Sequence, residues 1–480
     1  MVFSKIAEGE EVMTFRPRPR IGFLPTGHHR YWLQFPTLKD RALRMCRRFE
    51  EMIKGYADIF SPGLVDTPEK AAAAGKFFHE QDIDLILIFP LVYTPSINIA
   101  GAVIDSTVPL RILNAHEDKT RDYTKEDTED YLQHEAVCCV PEIGGMLARM
   151  GKEFHVRTGT LNDKRLHQEL QADFMGGAAA KKFRNIQAGL IGDIYTGMTD
   201  MSIDEQRLLR TTGHLLICPE VEEIVDAYQK VTNEELEDMY AQFRQLYQVD
   251  RTVTNEHMHF SAQIAVAFDK VIKRHNIDCF GFYWWGKKEL VTQIRAQAGI
   301  AVSRLTAQGI AGVTEGDIKS AMAMKILNLL GGLGMFVEFF ALDFAENFVL
   351  MGHDGPANVK MAKGEPRLTH LDIIHGKTGH GLGIDFDMEQ GPVTLLNLSE
   401  HTSPSNNRFK LIYSIAEVIP GSVLNIGNPN CRIRLQRSIH EFFEMWCQQG
   451  PGHHIALGKG DLSAALESFA EAVQFEITRV

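Results

Sequence analysis

The chain has 480 residues, 44% of them hydrophobic, which is apolar material for about two to four cored domains. Sixty-two acids against 50 bases give a net charge of -12, which excludes a general electrostatic affinity for nucleic acid or anionic lipid. The expected partners are small molecules or further copies of the chain.

Acids and prolines in "MVFSKIAEGEEVMTFRPRPRIGF" interrupt the apolar core that a secretory signal needs, and no later run reaches the length of a membrane span. A cytoplasmic location is the expectation. Seven scattered cysteines without CxxC spacing (Cys46, Cys138, Cys139, Cys218, Cys279, Cys431, Cys447) argue against a disulfide framework and a structural zinc site, and read as reduced, mostly buried thiols.

In chain order, the first third alternates short apolar runs with amphipathic stretches. "RIGFLP" is followed by the helix-like "LKDRALRMCRRFEEMIKGY", then "ADIFSPGLV", the helix-like "TPEKAAAAGKFFHEQ", "IDLILIFPLVY" and "VPLRILNAH". Such alternation predicts a parallel sheet wrapped by helices. No GxGxxG follows the first strand, where "FLPTGHHRYW" stands instead, so the dinucleotide fingerprint is absent. A second βα segment starts near "NIQAGLIGDIYTGM" and runs to "GVTEGDIKSAMAMKILNLLGG". Beyond Gly331 the texture becomes alternating, in "MFVEFFALDF", "NFVLMGH", "GPVTLLNLSE", "RFKLIYSIAEVI" and "CRIRLQ", which predicts antiparallel strands closed by a helix at "DLSAALESFAEAVQF". The fold class expected is α/β, with two doubly wound parallel-sheet domains (residues 1–170 and 171–327) followed by a β-rich, barrel-like domain (residues 328–480).

Three fragments carry side chains suited to chemistry. In "TEGDIKSAMAMKIL", Thr314 reads as an N-cap with Asp317 three residues on, and Ile318, Met322, Ile326 and Leu329 as one apolar face. Glu315 then lies in the first turn, either as a helix-terminal acid or as a carboxylate aimed at a cation. In "MFVEFFALDF" a strand puts Phe336, Glu338 and Phe340 on one face, where a buried carboxylate must be paired, protonated or metal-bound. The next short strand ends at His353, in hairpin reach of Glu338. In "GPGHHIALGKGDL" a glycine-proline turn presents His453 and His454, of which one could ligate while the other contacts a neighbouring group or substrate. Two carboxylates and two imidazoles suit an octahedral divalent cation such as Mn²⁺, with Mg²⁺ or Co²⁺ as substitutes, and leave positions for two sugar oxygens.

With "FLPTGHHRYW", "YTPSINIAG", "GGMLARM", "GVTEGDIKSA", "FVEFFALDFAENFVLMGHD" and "GPGHHIALGKGDL" in this order, the chain resembles the L-arabinose isomerase family, which belongs with the L-fucose isomerases. The resemblance implies a metal-dependent aldose-ketose isomerase, L-arabinose to L-ribulose first, with metal ligands Glu315, Glu338, His353 and His454. It implies further that Glu315 and Glu338 exchange a proton between C1 and C2 through a cis-enediol, and that Asp317 and His453 contact substrate hydroxyls. It implies trimers or hexamers in which a neighbour's N-terminal segment, here carrying His29 and Tyr31, completes the pocket. The sequence departs from the family where specificity is set: Phe339 and Phe340 replace a polar Asp-Tyr pair, and "FYWW" stands at 282–285. The same chemistry on a hexose or 6-deoxyhexose, or a sugar-binding or regulatory protein without turnover, are the alternatives.

Overall fold

A computed structural model describes residues 18–285, 288–371, 381–400 and 408–480. The leader reading of residues 1–17 lies outside them. The chain forms two compact units, one built from Pro17–Lys181 with Ala464–Ala472, the other from Lys182–Ser463 with Val473–Val480.

The first unit is a five-stranded parallel sheet of β1 (Arg20–Thr26), β2 (Asp58–Phe60), β3 (Leu85–Pro90), β4 (Leu110–His116) and β5 (Phe154–Thr160), in the order β2-β1-β3-β4-β5. β3 is buried along its whole length, as a parallel strand covered on both faces must be. Its alternate side chains feed two cores. Leu85, Leu87 and Phe89 meet Leu38, Met45 and Phe49 of the helix Pro36–Lys54. Ile86 and Ile88 meet Ala71, Ala74 and Phe78 of the helix Pro68–Glu80. The "AAAAG" run has a packing purpose, since a Cβ on Gly75 would lie 2.5 Å from the carbonyl oxygen of Gly101 on the helix Ile97–Val103. The segment Ala464–Ala472 is tied in by Arg111, which is fully buried and pairs with Asp173 (2.9 Å) and Glu471 (2.7 Å), while Arg157 holds the other Asp173 oxygen (2.7 Å).

The second unit opens with the parallel strands β6 (Ala188–Gly192), β8 (Cys279–Tyr283) and β9 (Ala311–Val313), in the order β6-β8-β9; the two-residue β7 (Gln248–Val249) lies elsewhere. Six later strands close a barrel: β10 (Met335–Asp343), β11 (Phe348–Gly352), β14 (Gly391–Glu400), β15 (Phe409–Ile419), β16 (Asn430–Leu435) and β17 (Ile455–Lys459). Their order is β14-β17-β10-β11-β16-β15, every neighbouring pair is antiparallel, and β15 pairs back to β14. β12 (Arg367–Leu371) and β13 (Gly381–Asp385) join β7 in a small sheet, and β18 (Glu476–Arg479) adds to β15 in parallel.

The helix Ile318–Leu329 packs on β8 and β9 and against the barrel strands β14 and β17. It is therefore buried on every face, where the sequence suggests a single apolar stripe. Lys319 and Lys325 tolerate this by donating to the carbonyl oxygens of Asp200 (2.6 Å) and Gly309 (3.1 Å). All seven cysteines are free thiols and four of them, the majority, are buried; Cys138, Cys218 and Cys447 are exposed. Among the described residues no helix is long and apolar enough to cross a membrane.

Candidate active site

Glu315 leaves the carboxyl end of β9 in an unusual backbone state. Its φ is +64° and that of Gly316 is +79°, so two successive residues occupy the left-handed region, a strained arrangement for a glutamate. Position 316 admits only glycine, because a Cβ there would lie 2.4 Å from the carbonyl oxygen of Asp193. The double turn moves the helix start. Thr314 is not the N-cap; Asp317 is, accepting from the Ser320 amide (3.2 Å) and the Ser320 hydroxyl (2.7 Å). Glu315 consequently stands before the helix and projects from the turn.

The other groups come from the barrel. β10 and β11 form the expected hairpin, with Glu338 opposite Gly352, and His353 follows directly. Phe336 shares a strand with Glu338 and lies against both His353 and His454, with ring centroids at 4.3 and 4.4 Å. His454 precedes β17, and Asn397 fixes its turn by donating to the carbonyl oxygens of His454 (2.8 Å) and Gly452 (3.2 Å).

Ligand atoms of Glu315, His353 and His454 lie within 4.8 Å of one another, and so do those of Glu338, His453 and His454. The two groups share His454. Glu315 approaches His353 Nε2 at 4.0 Å and His454 Nε2 at 3.6 Å, and the two Nε2 atoms stand 3.3 Å apart. The opposite ring nitrogens settle what these atoms are. His454 Nδ1 faces the Asp317 carboxylate at 3.0 Å, and His353 Nδ1 faces the Asp354 carbonyl at 3.2 Å, so each Nδ1 carries the proton. In the neutral rings both Nε2 lone pairs then point at one place. Glu315 Oε2, buried and without a hydrogen-bond partner among the described residues, points there as well.

Electrostatics agrees with this geometry. Burial raises the pKa of Glu315, with His454 and His453 opposing and Asp354 and Asp317 adding repulsion. Burial is also the main cause of the raised pKa of Glu338, with Glu315 adding to it. For His454 burial opposes the charged ring, but the Asp317 hydrogen bond and the charges of Asp317, Glu315 and Glu338 outweigh it and raise the pKa. Burial likewise opposes ionisation of Asp317, yet its bonds to His454 and Ser320 hold it low. The cluster is thus an electron-rich, partly desolvated recess that takes up positive charge.

Asp317 faces His454 with one oxygen and caps the helix with the other. The His453 ring lies against His454, with centroids 3.8 Å apart and planes tilted by 42°, and its Nδ1 and backbone N both meet Asp200 Oδ2 at 2.7 and 3.0 Å. Asp200, Asp354 and Asn397 are the groups sequence reasoning missed. Asp200 lies 253 residues from His453 and in no periodic pattern. His29 and Tyr31 belong to the other unit, in the helix His29–Gln34 beyond β1. There His29 is exposed, and Tyr31 Oη meets Glu135 at 3.1 Å.

Two family models match the chain: "L-arabinose isomerase central domain" over residues 212–332 and "L-arabinose isomerase C-terminal domain" over residues 334–476, together more than half of its length. Among curated relatives, L-arabinose isomerase 2 of Bacillus licheniformis is 21% identical over 344 residues, covering 70% of this chain and 71% of the relative. L-arabinose isomerase of Yersinia enterocolitica is 22% identical over 349 residues (69% and 67%), and that of Oceanobacillus iheyensis 20% over 341 residues (69% and 71%). With a β-barrel that gathers carboxylates and imidazoles on one recess, and both of these family domains in sequence, the chain belongs to the L-arabinose isomerase family and is an isomerase enzyme of the aldose-ketose class.

Proposed function

We propose that the enzyme is a divalent-cation-dependent isomerase that interconverts an aldose and its 2-ketose by proton transfer between C1 and C2 through a cis-enediol, with L-arabinose to L-ribulose as the first reaction to test. The observation that carries this reading is the convergence of two imidazole lone pairs and an unpartnered, buried carboxylate oxygen on one point. Such a group of electron pairs is destabilised unless a proton or cation lies between them.

Glu315, Glu338, His353 and His454 would hold the cation, and Mn²⁺ suits this mixture of oxygen and nitrogen donors, with Mg²⁺ or Co²⁺ as substitutes. When bound it supplies a Lewis acid that stabilises charge developing on two vicinal substrate oxygens. Glu315 and Glu338 are the acid-base pair. Burial raises both pKa values in the metal-free protein, the state expected of carboxyls set in a recess whose charge a cation would neutralise. One carboxylate removes the C2 proton while the other carboxyl group protonates O1, giving the enediol. Return of a proton to C1 and loss of the O2 proton complete the ketose and restore both groups.

Asp317, 3% exposed and with both oxygens engaged by Ser320 and His454, keeps the His454 tautomer with its proton on Nδ1 and acts through that ring instead of touching a substrate hydroxyl as expected. Asp200 holds the exposed His453 ring where it meets a substrate hydroxyl. His29 and Tyr31 of a neighbouring copy complete the pocket in a trimer or hexamer. Uniformly free thiols support action in the cytoplasm. The test is conversion of L-arabinose, and of a panel of pentoses, hexoses and 6-deoxyhexoses, to ketose: turnover vanishes on chelation and returns with Mn²⁺. Full turnover in Glu315→Gln and Glu338→Gln would refute the assignment.

A further inference from the structure

Although the chain carries a net charge of -12, one helix of the first unit gathers positive charge. Pro36–Lys54 holds Arg41, Arg44, Arg47 and Arg48, so that Arg44 has a like charge one turn away in both directions. Like charges at this spacing weaken a helix unless something neutralises them. Arg41 is neutralised by Asp130 (2.5 Å) and Arg48 by Glu117 (2.5 Å). Arg44 and Arg47 are exposed and have no acidic partner within 4.0 Å among the described residues.

Two open cavities meet at this helix, and Arg44 and Arg48 edge both of them. The larger, about 700 Å³, is lined also by Arg47, Asn162 and Glu51. Lys54 holds Glu51 at 2.9 Å, so Arg44 and Arg47 leave this cavity positively charged. The second, about 460 Å³, has a different character, because its acids offset its arginines: Arg121 pairs with Glu126, as Arg41 does with Asp130 and Arg48 with Glu117. It is polar without attracting an anion.

Gln133, on the helix Thr128–His134, lines the second cavity. It is 8% exposed, and its Oε1 is buried with no hydrogen-bond partner among the described residues. An acceptor in that state calls for a donor from a ligand, such as a hydroxyl. Asn162 lies in the loop after β5 and Glu117 directly follows β4, so both cavities stand at the carboxyl ends of parallel strands, where α/β proteins place ligands.

We propose that this face of the first unit is a second ligand site, sharing no residue with the isomerase recess, and that it takes a phosphate monoester of a sugar or polyol. Arg44 and Arg47 bind the phosphate in the larger cavity. Guanidinium groups match phosphate oxygens with paired hydrogen bonds, and the dianion removes the repulsion along the helix. The ligand's carbon chain extends past Arg44 into the second cavity, where Gln133 Oε1 accepts from one of its hydroxyls. A neutral aldose lacks the charge the larger cavity selects, so this ligand is not the substrate of the isomerase reaction.

The test is calorimetry on the full-length protein, in buffer free of phosphate and sulfate, with D-glucitol 6-phosphate, inorganic phosphate and D-glucitol as probes. The ester should bind about five- to tenfold more tightly than inorganic phosphate, through the added hydroxyl contact. The double variant Arg44→Gln, Arg47→Gln should lose about tenfold or more in affinity for both phosphates, with any D-glucitol binding unchanged. Gln133→Met should weaken only the ester, about five- to tenfold, down to the level of inorganic phosphate. Without anion the double arginine variant should melt at or above the wild-type temperature, having lost only repulsion, and the ester should raise the melting temperature of wild type but not of that variant. Wild type that binds neither phosphate probe at millimolar concentration, or a double variant that binds both as tightly as wild type, would overturn the site. Wild-type affinity for the ester in Gln133→Met would overturn its assignment to a phosphate ester and leave a site for inorganic phosphate alone.

Discussion

Replacing Asp317 with asparagine removes one charge while keeping shape, and the structure says which of its two tasks will suffer. Asp317 Oδ1 caps the helix through the Ser320 amide, and asparagine caps about as well as aspartate, so this part of the change costs close to zero. Oδ2 accepts from both Ser320 Oγ and His454 Nδ1, at 2.7 and 3.0 Å. An amide NH₂ at that position donates instead, which turns the His454 proton away from Nδ1 or breaks the contact. Losing such a partner behind a metal-binding histidine costs about 10–100-fold in metal affinity, or about 1.4–2.7 kcal/mol. Mn²⁺ titration by electron paramagnetic resonance should show that loss, while the melting temperature of chelator-treated protein moves little. Asp317→Ala should add about 1 kcal/mol of lost capping to the same metal defect. Wild-type Mn²⁺ affinity in Asp317→Asn would refute the claim that this carboxylate sets the His454 tautomer.

Gly316→Ala forces a Cβ onto the Asp193 carbonyl at a left-handed position, so it should lose about 1–3 kcal/mol in thermal unfolding and, by displacing Glu315, most of the turnover. Arg111→Met strips the fully buried Asp173 of one cation while Arg157 remains, so urea unfolding should register the lower end of the about 3–5 kcal/mol typical of a broken buried pair. Burial opposes ionisation of Glu471, but hydrogen bonds from His155 and Arg111 outweigh it and hold its pKa below the unfolded value. Its stabilising effect is therefore fully present above the ordinary carboxylate range and is lost as pH falls through the lowered value; melting curves from about pH 6 to 3 should decline more steeply for wild type than for Glu471→Gln.

Much of this architecture was legible because it follows from local periodicity. Continuous apolar runs such as "LILIF" became β3, buried on both faces, and the alternating runs after Gly331 became the antiparallel barrel strands. The same alternation set Glu338 beside Phe336 and delivered His353 at the end of a hairpin. What escaped depends on contacts between distant segments. "TEGD" can start a helix at Thr314 or at Asp317, and the choice of Asp317 follows from the left-handed turn that packs Gly316 against Asp193, 123 positions earlier by their numbers. The apolar stripe Ile318, Met322, Ile326 and Leu329 does not show that the rest of this helix is buried too, with Lys319 and Lys325 ending on the backbone carbonyls of Asp200 and Gly309. Asp200 and Asn397 hold the histidine turn from remote loops and strands, and no local pattern marks either residue.

The central claim is that two carboxylates and two imidazoles share one cation. Anomalous diffraction at the manganese edge from crystals grown with Mn²⁺ tests it directly. The account predicts one peak at about 2 Å from donor atoms of Glu315, Glu338, His353 and His454. Manganese bound elsewhere, or those four side chains ordered around no peak at saturating Mn²⁺, would contradict it.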